Sequence, residues 1–341
     1  MSEKLRWGIL GTGNIARQFA TGVKASERGE LAAVGSRTAE AAQGFAGKFG
    51  IAKALDSYQA LVEEAGVDAV YNSLPNSLHH EWTIAALKAG KHVLCEKPLG
   101  VNAREAEEMF GVAESAGKVL VEAFMYRSHP LTLAVAEAVG RGEIGQLRLI
   151  RSSFCFRTTQ IEGNIRFSQP LAGGSLMDVG CYCINFSRHF ARGEPTEMHA
   201  VGRIHSSGVD EYAAGAMMFP GNIAASFVCG TTVQADNTAY LCGDEGYIEV
   251  PIPWKPPADG AVYVVTRSSP PRMDKPGKVV APGAQPREVR TVSVEGELYG
   301  IEADDFAATV LDGRPARLSR QDSVGNMRVL DELRRQVGVK F

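Results

Sequence analysis

Strand-like and helix-like hydrophobic patterns alternate through the N-terminal third of the chain, and no other feature restricts the fold as strongly. This alternation predicts a parallel sheet covered by helices. A glycine follows four of the five predicted helices, where a left-handed cap residue favours helix termination. The predicted strands are Leu5–Leu10, Leu31–Ser36, Ala69–Leu74, His92–Cys95 and Val119–Ala123, and the predicted helices are Asn14–Val23, Ala39–Phe49, Ser57–Ala65, Leu78–Ala89 and Ala103–Ala116.

The pattern changes after Phe124, where short strands follow one another and turn residues separate them. Consecutive strands predict an antiparallel sheet. The predicted fold class is therefore an α/β Rossmann domain over residues 1–123, followed by an α+β domain over residues 124–341 with a large, mostly antiparallel, open-faced sheet. The proline-rich and glycine-rich residues 251–287 predict a long loop with one short strand, Ala261–Thr266.

Composition and charge exclude several classes of function. The 341 residues include 36 Lys and Arg against 39 Asp and Glu, and a net charge of −3 predicts no nucleic-acid partner. No apolar run reaches about 18 residues and no signal-peptide pattern is present, so a cytoplasmic protein without a membrane span is expected. The six cysteines are scattered and are expected to be buried apolar residues, and no metal-ligand spacing occurs, so no metal is predicted.

A glycine-rich turn follows the first predicted strand and opens the first helix. The run Gly11-Thr12-Gly13-Asn14-Ile15-Ala16 has the spacing G-x-G-x-x-A. The first glycine permits the tight turn, the second lets the backbone approach a pyrophosphate, and the alanine lets the helix pack on the strand. The free N–H groups at the helix N-terminus would bind the pyrophosphate. The sequence therefore predicts dinucleotide binding here.

The end of the second predicted strand bears on the choice between NAD and NADP. A carboxylate there would bind the ribose 2′-hydroxyl of NAD, but the strand ends in Gly35-Ser36-Arg37-Thr38. Ser36 can donate a hydrogen bond to a 2′-phosphate, and Arg37 can pair with the phosphate or stack on adenine. We therefore expect NADP, with NAD the less favoured cofactor. The alternative is that Arg37 is an ordinary surface arginine.

Two further strand ends point to the same edge of the sheet. Leu74 ends the predicted strand Ala69–Leu74, Pro75 and Asn76 follow it, and His79 lies at the start of the next helix, so these residues could wall the nicotinamide ribose. A simple helix-entry turn would look similar. Glu96 and Lys97 follow the strand ending at Cys95, where both are expected to contact the cofactor, and Pro98 stops that strand. Lys97 is either a cation placed for chemistry or a solvated surface lysine.

Asp178 and Tyr182 are four residues apart in a segment predicted to be helical, Gly174–Phe190. In a helix both side chains would face the same way. A tyrosine phenol can transfer a proton if its pKa is lowered, and a nearby lysine cation would lower it. Lys97, Tyr182 and Asp178 thus form a candidate catalytic set. A core tyrosine with a satisfied hydroxyl group explains Tyr182 equally well.

Taken together, these motifs resemble the GFO/IDH/MocA oxidoreductase family over essentially the whole chain. The resemblance rests on the glycine turn, on Cys95-Glu96-Lys97-Pro98 and on Asp178-x-x-x-Tyr182 after a Gly-Gly pair. It is nearest to the branch of NADP-dependent D-xylose dehydrogenases, dimeric dihydrodiol dehydrogenases and glucose–fructose oxidoreductase. That branch typically carries segments like Glu122–Pro130 and Asn164–Arg166.

The resemblance implies a role for each matching residue. Lys97 would contact the nicotinamide ribose and the substrate, Tyr182 would be the acid/base, and Asp178 would bind substrate. Arg127, Arg166 and Phe156 would line the cofactor and sugar cleft. A homodimer or homotetramer through the open sheet is also implied.

The expected function is hydride transfer between NADP and a sugar or vicinal diol, such as D-xylose or a trans-dihydrodiol. The alternatives are an NADPH-dependent reductase of a ketosugar of the 1,5-anhydrofructose type, and a dehydrogenase of levoglucosan or inositol. A protein of another class, a non-catalytic NADP-sensing regulator, keeps the same fold. The presence of Lys97, Asp178 and Tyr182 favours an enzyme.

Replacing Arg37 tests the expected cofactor. We predict that Arg37→Ala lowers the ratio of NADP affinity to NAD affinity by roughly tenfold or more, because a charge-assisted contact to the 2′-phosphate is lost. Fluorescence titration with NADPH and NADH measures both constants. An unchanged ratio would make the assignment of Arg37 wrong.

Overall fold

The computed structural model describes residues 3–267, 272–275, 278–280 and 286–340. Its first layer is a six-stranded sheet in the order β3-β2-β1-β4-β5-β6, with every neighbouring pair parallel. The strands are β1 (Leu5–Leu10), β2 (Gly29–Gly35), β3 (Lys53–Leu55), β4 (Ala69–Asn72), β5 (His92–Glu96) and β6 (Leu120–Ala123). The order reverses between β1 and β4, and ligands bind at the carboxyl ends of strands at such a switch point.

Helices connect these strands, and their capping residues explain several of their bounds. They are α1 (Asn14–Ala25), α2 (Ala39–Phe49), α3 (Tyr58–Glu63), α4 (His79–Lys88) and α5 (Ala103–Ser115). The side chains of Thr38, Ser57 and Asn102 accept hydrogen bonds from the first turns of α2, α3 and α5. Gly50 ends α2 in the left-handed conformation, as the sequence predicts.

The second domain is built on an eight-stranded sheet in the order β16-β13-β12-β11-β7-β10-β9-β8. Its pairs are antiparallel except β7 with β10. The strands are β7 (Leu147–Cys155), β8 (Glu197–Ile204), β9 (Asp210–Phe219), β10 (Ile223–Gly230), β11 (Ala239–Gly243), β12 (Gly246–Val250), β13 (Ala261–Arg267) and β16 (Arg287–Val292), with β14 (Arg272–Lys275) and β15 (Lys278–Val280) forming a separate pair.

Helix α6 (Pro130–Gly140) leads into this sheet, and α7 (Cys181–Ala191) is buried along much of its length. A π-helical turn, Leu176–Gly180, directly precedes α7. Buried Asp210 fixes the start of this turn, because its carboxylate accepts from the Ser175 hydroxyl at 2.6 Å and the Leu176 N–H at 2.7 Å. The turn is therefore anchored to the large sheet.

The last two helices, α8 (Leu298–Asp312) and α9 (Arg320–Val337), return to the first domain. Phe306 on α8 packs against Trp7 of β1 with ring centroids 5.1 Å apart. On α9, Asp331 accepts from the Ala103 N–H at 2.9 Å. The predicted domain boundary between residues 123 and 124 stays a prediction. Although α8 and α9 follow the second domain in sequence, both pack on the first domain.

The predicted fold class is confirmed, with corrections to individual elements. The sequence patterns missed β3, β14, β15 and β16, which are short or polar strands. The predicted helix from Gly174 is interrupted by the π-helical turn. Parts of the predicted loop 251–287, namely residues 268–271, 276–277 and 281–285, lie outside the described residues.

None of the helices in the described part of the chain has the length and apolar character needed to cross a bilayer. All six cysteines are free, and all but Cys242 are buried. Within the described ranges, no three His, Cys, Asp or Glu side chains group closely enough to hold a metal ion.

Helices α1 and α8 cross at two glycines, which predicts a sharp contrast between glycine substitutions. A Cβ on Gly22 would lie 2.5 Å from the backbone nitrogen of Gly300, whereas a Cβ on Gly47 of α2 would meet nothing within 4 Å. We expect Gly22→Ala to destabilise the fold by about 1–3 kcal/mol, because the helices must separate. Gly47→Ala should stabilise it by about 0.5–1 kcal/mol, because alanine favours the helix.

The midpoint of urea unfolding measures both effects, and Gly47→Ala is the matched control for the added methyl group. Equal stability of the two variants would contradict the close helix crossing.

Candidate active site

The glycine turn lies at the switch point of the parallel sheet. Gly11 has φ = 93°, a conformation that favours glycine, and a Cβ there would lie 3.2 Å from the Leu74 side chain. The Ser73 hydroxyl donates to the Leu10 carbonyl at 2.6 Å, which fixes the end of β4 beside the turn. The segments containing Gly11 and Leu74 are thus brought together at one edge, as the sequence predicts.

The residues of this turn fit a dinucleotide. A Cβ on Gly13 would meet nothing within 4 Å, so the backbone faces open space where a pyrophosphate could approach. No side chain caps the start of α1, and its first turn contains no acidic residue. The N–H groups and positive dipole of this helix end are therefore available to an anion. Thr12, Asn14 and Ile15 surround this space and are half-buried or exposed.

The end of β2 presents one buried and one exposed side chain beside the turn. The Ser36 N–H donates to the Leu55 carbonyl at 3.1 Å, and Ser36 is buried. Arg37 is exposed and follows it directly. This placement is compatible with the predicted role in binding a 2′-phosphate.

Lys97 lies at the carboxyl end of β5, and its side chain reaches across to the second domain. Its ammonium donates to the backbone carbonyl of Asp178 at 2.7 Å and lies 3.5 Å from the Asp178 carboxylate. The side chain is only 12% exposed. Burial is the largest single influence on Lys97 and lowers its pKa, but Asp178, Cys181 and Glu96 together outweigh burial and hold the pKa above its ordinary value. Lys97 is therefore a buried cation rather than a surface lysine.

Asp178 joins Lys97 to Arg166. The Nε of Arg166 donates to the Asp178 carboxylate at 2.6 Å, and the guanidinium lies over the Phe156 ring, 5.4 Å from its centroid. Burial raises the pKa of Asp178, but the two cations outweigh burial and hold the pKa below its ordinary value. The structure thus brings together Lys97, Asp178, Arg166 and Phe156, which the sequence places on separate segments.

Tyr182 adjoins this group with its ring rather than its hydroxyl. The Lys97 ammonium lies 5.0 Å from the ring centroid, while the hydroxyl donates to the Met125 sulfur at 3.3 Å. Burial raises the pKa of Tyr182 well above its ordinary value. The prediction that Lys97 lowers this pKa is therefore wrong for this structure, because the ammonium does not reach the hydroxyl. Asp178 also lies in the π-helical turn and Tyr182 in α7, so the simple helical spacing does not apply.

Two predicted cofactor residues turn their side chains into the protein. Glu96 is buried and accepts a short hydrogen bond from the Tyr71 hydroxyl. The ring nitrogens of His79 lie 2.9 Å from the Pro98 carbonyl and 2.8 Å from the Leu74 carbonyl. His79 is fully buried, and burial lowers its pKa to about 4. The His79 ring therefore lies between the loop that carries Leu74 and the loop that carries Lys97, and its contacts with the two carbonyls hold these loops in place.

Arg127 is likewise held away from the Lys97 group. Its guanidinium donates to the Asn185 side chain at 3.1 Å and to the Arg317 carbonyl at 3.2 Å, and the residue is buried. The Asn76 side chain is directed toward the second domain, where its amide donates to the Ala172 carbonyl at 2.8 Å. Asn76, which follows Leu74 and Pro75, therefore contacts the second domain.

The sequence patterns missed several residues around Tyr182. Trp254 is buried between Phe154, Tyr126 and Tyr182, with ring centroids 5.7 to 5.9 Å away. Its indole N–H donates to the Ser153 carbonyl at 2.7 Å. Lys255 follows Trp254 directly and is exposed. Trp254 and Lys255 belong to a loop that has no hydrophobic periodicity. The one sequence feature that could have indicated a buried residue here is a tryptophan within a proline-rich segment.

Comparison with known proteins identifies the family. Residues 5–124 match the family model described as the oxidoreductase family with an NAD-binding Rossmann fold, and residues 132–249 match the GFO/IDH/MocA C-terminal domain. The chain belongs to the GFO/IDH/MocA oxidoreductase family. This confirms the resemblance found in the sequence and the predicted enzyme class.

Several relatives named as enzymes match most of the chain. A trans-1,2-dihydrobenzene-1,2-diol dehydrogenase from Mus musculus is 39% identical over 74% of this chain and 76% of its own. D-xylose 1-dehydrogenase (NADP(+)) 2 from Haloferax volcanii is 34% identical over 96% of both. A 3-ketoreductase from Actinomadura kijaniata, solved with NADP and TDP-benzene, is 30% identical over 98% of both chains with a TM-score of 0.85.

Proposed function

We propose that this protein is an NADP-dependent oxidoreductase that transfers hydride between nicotinamide and a hydroxyl-bearing carbon of a sugar or vicinal diol. The observation that carries the proposal is the buried Lys97 cation, held by Asp178 beside the Tyr182 ring at the sheet edge that also carries the glycine turn. The names of the relatives, a D-xylose dehydrogenase and a dihydrodiol dehydrogenase, support this substrate class.

NADP is supported over NAD by two kinds of observation. Buried Ser36 and exposed Arg37 follow β2 directly, at the place where a carboxylate would favour NAD. One relative is named for NADP, and another was solved with NADP bound. Gly11, Gly13 and the N-terminus of α1 would hold the pyrophosphate, and Leu74, Pro75 and Asn76 would flank the nicotinamide end.

The residues beside the cleft have separate roles in proton transfer and in charge stabilisation. When bound, the nicotinamide accepts or donates the hydride. Tyr182 exchanges the proton of the substrate oxygen, after its hydroxyl leaves the weak thioether acceptor of Met125. Lys97 stabilises negative charge on the substrate oxygen, and Asp178 keeps Lys97 charged and oriented. Arg166 holds Asp178 from the opposite side.

The protonation states favour the carbonyl-reducing direction at neutral pH. The pKa of Tyr182 and that of Lys97 both lie above their ordinary values, so both groups carry protons. A protonated phenol and an ammonium donate to a carbonyl oxygen directly, whereas alcohol oxidation first requires loss of the phenol proton. Reduction of a ketosugar is therefore the second candidate function. Sugar or diol oxidation by the same residues should be favoured at higher pH.

Removing the Tyr182 hydroxyl tests the proposed chemistry. We expect Tyr182→Phe to lower turnover by about 100-fold to 10,000-fold in both directions, since proton transfer is lost. The turnover rate of wild-type protein should rise from pH 7 to pH 10 in sugar oxidation and stay level from pH 6 to pH 8 in ketosugar reduction. Absorbance of NADPH measures both rates across a panel of sugars, diols and ketosugars.

Lys97→Met, which removes the charge and the hydrogen-bond donors but keeps a long unbranched side chain, is the companion variant. NADPH affinity, measured by fluorescence, should be retained in Tyr182→Phe because the phenol does not bind the pyrophosphate. A loss of less than tenfold in Tyr182→Phe, with complete loss in Lys97→Met, would transfer the acid/base role to Lys97. No turnover of any sugar, diol or ketosugar by wild-type protein would contradict the proposed function.

We further propose a homodimer formed through the open face of the large sheet, and a cytoplasmic location. Leu149, Ala224 and Met218 lie side by side across β7, β10 and β9, and Val228 is exposed on the same face. Exposed apolar side chains grouped on a sheet face are typical of an interface. The six free cysteines are compatible with a reducing compartment.

A carboxylate on this face tests the dimer. We expect Val228→Asp to convert a dimer into a monomer, because a two-fold interface would bury two unpaired charges. Leu133→Asp, at an apolar residue of α6 with similar exposure (36% against 40%), should leave the dimer intact. Sedimentation equilibrium gives the mass of each. A monomeric wild-type protein, or a dimeric Val228→Asp variant, would contradict the interface, and a wild-type mass of four chains would indicate a tetramer.

A further inference from the structure

Asp210 joins the large sheet to the turn that carries Asp178. It is the first residue of β9 and is only 1% exposed. Its carboxylate accepts from the Ser175 hydroxyl at 2.6 Å and from the Leu176 N–H at 2.7 Å. Hydrogen bonds from two consecutive residues to one carboxylate set both the position and the direction of the chain where the π-helical turn begins.

The backbone just before the turn gives this carboxylate room. Gly174 has φ = 114°, a conformation that favours glycine. A Cβ on Gly174 would lie 2.3 Å from a carboxylate oxygen of Asp210, so the absence of a side chain lets the two segments approach closely. The Gly174 N–H donates to the Arg166 carbonyl at 2.8 Å. The segment that carries Arg166 is therefore connected to the same anchor.

The form of the turn decides where the Asp178 carbonyl lies. The Cys181 N–H donates to the Leu176 carbonyl, five residues earlier, which is the π-helical pattern. Between them, the Asp178 carbonyl accepts from the Lys97 ammonium at 2.7 Å. A change to α-helical spacing would rotate this part of the turn by about 100°, the angle of one residue, and move the carbonyl away from the ammonium. The placement of Lys97 beside Tyr182 thus depends on the π form of the turn.

We propose that Asp210 is a positioning residue for the reaction, which holds the π-helical turn in place and thereby maintains the contact between Asp178 and Lys97. The inference rests on the proposed function, because it concerns the same reaction. π-Helical turns are rare and occur frequently at functional sites. The buried anchor explains how this turn persists, and Asp210 acts through it without touching the substrate.

Two substitutions of Asp210 test the anchor in the whole protein. Asp210→Ala removes both hydrogen bonds, and turnover should fall by roughly tenfold to 100-fold because Lys97 and Tyr182 lose their relative placement. Asp210→Asn keeps an oxygen that can accept both hydrogen bonds, and turnover should stay within about threefold of the wild-type rate. NADPH affinity, measured by fluorescence, should be unchanged in both variants because the glycine turn belongs to the other domain.

The pH dependence of ketosugar reduction gives a second readout of Asp210→Ala. The Asp178 carboxylate raises the pKa of Lys97 in wild-type protein. When the turn shifts, this effect weakens and the ammonium loses its proton at a lower pH. As the pH increases, turnover of the variant should therefore begin to fall at a lower pH than turnover of wild-type protein. A loss of folding stability alone would not move this profile.

Hydrogen exchange followed by mass spectrometry tests the anchor without turnover. The amides of residues 175–186 should exchange roughly tenfold faster in Asp210→Ala than in wild-type protein. Asp68→Ala is the matched control, because the Asp68 carboxylate also accepts from a backbone N–H and a side chain, those of Arg6, at 3.0 and 2.8 Å. Asp68 precedes β4, at the opposite end of the parallel sheet from the site, so turnover and exchange of residues 175–186 should not change.

Several outcomes would overturn the inference: turnover of Asp210→Ala close to the wild-type rate, an equal loss in Asp68→Ala, or no recovery in Asp210→Asn. If Asp210→Ala does not fold, Ser175→Ala removes one of the two hydrogen bonds and decides by the same readouts. Faster exchange confined to residues 175–186, together with no turnover of any substrate by wild-type protein, would support the anchor and count against the proposed function alone.

Discussion

The contact between Lys97 and Asp178 is the interaction on which the site depends. Lys97 ends a strand of the parallel sheet, whereas Asp178 belongs to a π-helical turn anchored on the large sheet. A buried ammonium is costly unless it is paired and hydrogen-bonded, and this one has both a carboxylate and a carbonyl as partners. The two domains thus complete one charged centre that neither contains alone.

The parallel half of the fold was predictable from local signals. Five of the six strands there coincide with short, mainly apolar runs, and helical patterns that end at a glycine or begin at a cap residue separate them. The missed strand Lys53–Leu55 has only three residues, and half of the residues of the missed strand Arg287–Val292 are charged and the strand lies at a sheet edge. Neither carries the alternation that distinguishes a strand from a loop. The π-helical turn also left no signal, since its extra residue does not change the apolar character of the segment.

The sequence predicted which edge of the sheet carries the site, but it did not predict which side chains at that edge face the cleft. Strand order brought the glycine turn, Leu74 and Lys97 together, because the carboxyl ends of parallel strands meet at one edge. Whether a side chain at that edge faces the cleft depends on its packing partners. Glu96 turns inward to Tyr71 and Arg127 turns to Asn185, which no local pattern encodes. Trp254 packs against Tyr182 from a loop distant in sequence, so its place beside the site could be found only in three dimensions.

The ammonium of Lys97 has one partner that belongs to the main chain and one that belongs to a side chain. The carbonyl of Asp178 accepts its hydrogen bond whatever side chain position 178 carries, whereas the carboxylate sets the surrounding field. Location and electrostatic potential are therefore separable properties of this lysine. A substitution at residue 178, natural or engineered, can therefore change the electrostatic potential at the Lys97 ammonium while the nitrogen atom stays in the same position.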